Sequence, residues 1–146
     1  MVQLTSPAQL PDLPDDGLSG LFEGTVPPGV YRVPSIGPEA LLQAQAENWQ
    51  AAVVDLGGVT DKAGFLEACV LGLELPDWFG RNWDALADCL TDLSWLGEPA
   101  GYLVLTSGWS DFERFSPRDA HSAAEIFSAA VGYWAVRDSP LAVLLG

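Results

Sequence analysis

Cysteine is scarce in this 146-residue chain: Cys69 and Cys89 are the only two, and there is a single histidine, His121. Two thiols exclude a disulfide framework, and the three residues lack the spacing of a Cys/His metal site. Long apolar runs are missing too. No stretch reaches the roughly 18 uncharged apolar residues of a membrane span, and Met1 to Asp16 carries neither the basic start nor the apolar stretch of a signal peptide. The expectation is a soluble cytoplasmic protein with reduced, buried thiols. Catalytic signatures are equally sparse: there is no G-x-G-x-x-G turn, no nucleophile elbow and no metal triad. Gly57-Gly58, after a strand-like run, reads as a plain turn. His121, near Asp119 at the start of a helical stretch, is the one candidate general base, and nothing supplies it with a nucleophile. The sequence therefore predicts a protein that is not an enzyme and uses no metal or cofactor. Basic residues are scarce as well: six Lys and Arg stand against twenty Asp and Glu, a net charge of −14. Such a chain repels nucleic acid and favours basic partners.

What is present suffices for one globular domain. Hydrophobic residues make up 49%, with six Trp and six Phe, ample apolar surface to offset the entropy of folding. Residues 1–27, with Pro7, Pro11, Pro14 and Pro27 among Asp12, Asp15 and Asp16, show no sustained apolar period and read as an irregular segment. A β-α extension follows over residues 28–49: a β-like Val-Tyr-Arg-Val closed by Pro34, then a helix opened by Pro38 and running to about Trp49. From residue 50 to 146 strands and helices alternate. Ala51–Leu56 is a continuous apolar run of the kind that lies buried on both faces. Asp61 caps a helix to about Leu73, Asn82 caps another from Trp83 to about Leu93, and Gly101–Thr106 is a strand. Ser116-Pro117 opens a helix to about Ala135, and Leu141–Leu145 is a final strand. Helices between strands predict an α/β layered domain with a small, mainly parallel sheet.

The helix after Asn82 carries the chemistry. Trp83, Leu86, Ala87, Leu90 and Leu93 recur at helical spacing and predict one buried stripe. Opposite them Asp84, Asp88 and Asp92 stand four apart with no Lys or Arg in the helix, so like charges oppose each other by roughly 0.2–0.5 kcal/mol per pair. Carboxylates on such a ridge diverge and make a poor metal cage. Trp78 and Phe79 lie in the preceding loop beside Gly80, and aromatic groups next to unpaired carboxylates suit recognition of a basic partner. Either ring, taken singly, reads equally as a core anchor.

Leu75-Pro-Asp-Trp-Phe-Gly-Arg-Asn-Trp-Asp-Ala-Leu-Ala-Asp-Cys-Leu-Thr91 closely resembles the central motif of the barstar family, intracellular inhibitors of barnase-type ribonucleases, and the flanking elements extend the resemblance over roughly Gln50 to Gly146. The resemblance implies a barstar-like fold in which this helix and loop enter the nuclease active site. Asp88 would occupy a substrate phosphate site, with Asp84 as its partner and Trp78 and Phe79 packing against the nuclease. Gly80, Asn82 and Thr91 would shape the loop and helix ends, and Asp92 would extend the acidic face. The chain departs from the family at three places: Ala87 stands where the family carries a tryptophan, Ala129 where it carries an interface glutamate, with Glu125 one turn earlier, and Arg81 where it is acidic. A second reading keeps the scaffold and binds another basic protein, a different toxin or a regulator.

Overall fold

The computed structural model describes residues 10–35 and 37–146. Of the segment expected to be irregular, residues 1–9 lie outside the described residues. Four strands form one sheet: β1 (Val30–Arg32), β2 (Trp49–Asp55), β3 (Gly101–Ser107) and β4 (Leu141–Leu145). All pairings are parallel, in the order β1-β4-β3-β2. Among the described residues six α-helices surround it: α1 (Gly17–Glu23), α2 (Pro38–Ala46), α3 (Lys62–Gly72), α4 (Trp83–Leu90), α5 (Trp109–Phe115) and α6 (Pro117–Ala135). The α/β layered fold read from the sequence is the fold observed.

The strand order dictates the layering. From β1 the chain crosses to the far edge at β2, then returns through β3 to β4. Parallel crossovers are right-handed, so the outward and returning connections must run over opposite faces. The core divides accordingly. Val54, Val104, Leu141 and Val143 pack with Phe65, Leu86, Leu90, Phe112 and Phe127 from α3 to α6. The alternate residues Leu103, Leu105, Ala142 and Leu144 pack with Leu21 of α1 and Ala40 and Ala44 of α2. Every residue of β4 is buried, as expected of a strand covered on both faces.

Several elements differ from the sequence reading. Residues 17–23, within the stretch expected to be irregular, form α1, whose Leu18, Leu21 and Phe22 join the second core at helical spacing. The helix expected to reach Trp49 ends at Ala46, and Trp49 instead opens β2. Its buried ring meets Phe22 edge to face at 5.1 Å and lies over Gly101, where a Cβ would come within 2.5 Å of it. The short helix α5 was not anticipated; its Trp109 and Phe112 are buried three residues apart. The Gly57-Gly58 turn is confirmed, with Gly58 at φ +77 and the Asp55 carboxylate accepting from the Gly57 amide at 2.9 Å.

Candidate protein-binding face

The loop from α3 to α4 is built on a turn. The Phe79 amide donates to the Pro76 carbonyl at 3.0 Å, which puts Asp77 and Trp78 at the tip and turns the two aromatic rings in opposite directions. Trp78 is 64% exposed, whereas Phe79 is 4% exposed and belongs to the main core. The aromatic pair is thus one surface ring and one core anchor, and burial of Phe79 favours the anchor reading that the sequence left open for either ring.

Asn82 ties the loop to the helix. Its Oδ1 accepts from the Ala85 amide at 2.7 Å, capping α4, and its Nδ2 donates to the Gly80 carbonyl at 3.3 Å. Between them Arg81 sits at φ +51, and its guanidinium pairs with Glu67 of α3. The positive charge that sets this loop apart is therefore matched by a carboxylate of its own chain.

On α4 the buried residues are Leu86, Cys89 and Leu90. Ala87, expected in the buried stripe, is half-exposed, and Trp83 is half-buried, its ring 5.7 Å from Phe65 with Lys62 over it at 5.4 Å. Asp84 and Asp88 face solvent one turn apart. The helix stops at Leu90 rather than Leu93, and side chains join the backbone amides at its last carbonyls: the Trp134 indole donates to Leu90 at 2.7 Å, and the Thr91 hydroxyl to Ala87 at 3.1 Å and Asp88 at 3.2 Å. Leu93, buried in the core, then adopts φ +54. Asp92 consequently lies on the turn beyond the helix, exposed.

None of Asp84, Asp88 and Asp92 takes part in an ion pair among the described residues. Their field is felt by their neighbours. The Cys89 thiol is raised above its ordinary value by burial, then by Asp92 and Asp88, and the Tyr102 phenol by burial, then by Glu98 and Asp92. Glu98 and Asp138 line a groove with Asp92; sequence reasoning missed both, because they lie in loops with no periodicity to connect them.

The remaining candidates sit elsewhere. His121 pairs with Glu125 on the exposed side of α6, so the carboxylate one turn before Ala129 is already engaged, and Ala129 itself is exposed. Cys69 and Cys89 are both free and buried. Among the described residues no three His, Cys, Asp or Glu side chains are grouped to hold a metal ion, and no helix is long and apolar enough to cross a membrane. Set beside known families, residues 49–146 match the model of barstar, described as the barnase inhibitor. No curated protein matches the chain.

Proposed function

Because this chain belongs to the barstar family, we propose that it inhibits a barnase-type ribonuclease by seating α4 and the loop before it in the nuclease active site. One observation carries the reading: Asp84 and Asp88 stand exposed and without ion pairs on a helix whose two ends are fixed by side chains. A carboxylate held rigidly can take the place of a substrate phosphate among Arg, Lys and His donors, forming charge-assisted hydrogen bonds. Asp88 is the leading contact, Asp84 supports it, and Asp92 widens the acidic face. Trp78 supplies apolar contact from the tip of its turn. Gly80, Asn82, Thr91 and, from beneath, Phe79 hold the shape. On this reading the protein is an inhibitor without catalysis, metal or cofactor, acting in the cytoplasm, where its two free thiols stay reduced.

The test is to titrate the protein into a barnase-type ribonuclease cleaving RNA. Stoichiometric inhibition is expected, with Asp88→Ala weakening binding by about 2–5 kcal/mol, the usual cost of truncating a desolvated interfacial charge, while circular dichroism stays unchanged. Raising salt should slow association, since complementary fields steer encounter. A folded sample that leaves cleavage untouched would turn attention to the second reading, a different basic protein on the same scaffold, which the small side chains of half-exposed Ala87 and exposed Ala129 favour.

A further inference from the structure

Beyond the C-terminal end of α4 a groove of about 630 Å³ opens between the 3-10 turn Ser94–Leu96, the loop leading to β3 and the segment after α6. Tyr102 and Trp134 line it, their rings tilted with centroids 5.0 Å apart, and Asp92, Glu98 and Asp138 stand around them. The walls are tied together: Ser139 Oγ donates to the Pro99 carbonyl at 2.7 Å, Tyr102 Oη to Gly97 at 3.1 Å, and Trp134 Nε1 to Leu90 at 2.7 Å. The groove is therefore held open rather than left to close on itself.

Its charge is unbalanced. Both α4 and α6 end here, and neither has a basic residue in its last turn, so two helix dipoles add their negative ends to the three carboxylates. Arg137 is the one basic residue in the lining, and it is engaged with its own helix, its guanidinium 3.5 Å from the Tyr133 ring centroid and hydrogen-bonded to the Tyr133 carbonyl. No ion pair reaches Asp92, Glu98 or Asp138 among the described residues. Tyr102 is buried, so the ring open to a ligand is that of half-buried Trp134; of the basic side chains a guanidinium suits such a place best, because its plane stacks on an aromatic ring while its fork meets carboxylates.

We infer that this groove receives an arginine side chain of the basic partner, next to the site that α4 occupies. The inference rests on the proposed function for the partner, and Asp92, four residues past Asp88, belongs to both surfaces. It also gives the chain an acidic contact on the α6 side at a place other than Ala129.

Two measurements test it. In the first, a blocked tetra-arginine peptide is titrated at low salt into the full chain while the indole N–H of Trp134, assigned through Trp134→Phe, is followed by NMR. A saturable shift is expected, and Glu98→Gln with Asp138→Asn should weaken it about fivefold, as two exposed charge pairs would. A silent Trp134, or a double variant that responds like the parent, overturns the groove. In the second, the same double variant is measured against the ribonuclease, where a loss of about thirtyfold or more is expected for charges desolvated on binding. If Asp88→Ala abolishes binding and the double variant binds like the parent, the groove falls and the proposed function stands. If the parent ignores the ribonuclease while Trp134 responds to the peptide through Glu98 and Asp138, the groove stands and the proposed target falls.

Discussion

Trp78 and Phe79 are adjacent in sequence and opposite in consequence. Phe79→Ala removes a ring from the main core and should cost about 3–5 kcal/mol in a urea titration. Trp78→Ala should leave stability within about 0.5 kcal/mol and instead weaken inhibition by about 2 kcal/mol if the ring is an interface anchor. Equal stability losses in the two variants would show that the turn does not separate them. The site was partly legible at this scale. Helical spacing assigns Asp84 and Asp88 to the solvent side, and Asn82 announces its cap, since both are local properties of one helix. The aromatic pair was not separable, because a loop has no period, and its assignment depends on the Phe79 amide finding the Pro76 carbonyl. The end of the helix was not legible for a similar reason: the Leu90 carbonyl accepts from Trp134, 44 residues downstream.

Among the elements, the meeting of α3 with β2 is the tightest. A Cβ at Gly72 would come 2.2 Å from the Val53 carbonyl oxygen and 3.0 Å from the Val54 Cα. Backbone meets backbone there, so no rotamer change relieves the clash. Gly72→Ala should destabilise the fold by about 1–3 kcal/mol, as overpacking does, and hydrogen exchange should quicken first in β2 and α3; an unchanged unfolding midpoint would mean that the helix slides without cost. Strands β2, β3 and β4 and the bodies of α3, α4 and α6 were readable from apolar runs and caps. The helix α1 was hidden by surrounding prolines, and α5 by its seven-residue length and its shared boundary at Ser116. Strand order was beyond reach, because periodicity says which face of a strand is buried and not which strand lies beside it.

For the whole molecule, burial sets the alkaline limit. The thiols of Cys69 and Cys89 are held above their ordinary value of 9.0, and the phenols of Tyr31 and Tyr102 above 10.0. The unfolded chain releases these protons first, so the stability they contribute is complete below the unfolded values and is lost as pH rises through them. Urea midpoints should hold level toward pH 9.0 and fall above it, and replacing both cysteines by alanine should flatten the decline. A midpoint that rises with alkali would contradict this assignment. The order of the sheet has a consequence in time. Strand β1 pairs with β4 alone among the strands, through Val30 and Val143, more than a hundred residues apart. On the ribosome the N-terminal layer is made first and must wait, its strand unmatched, until Leu145 emerges. Contacts so distant along the chain make folding slow, so the N-terminal layer gains its only strand partner late, after every other strand of the sheet has been made.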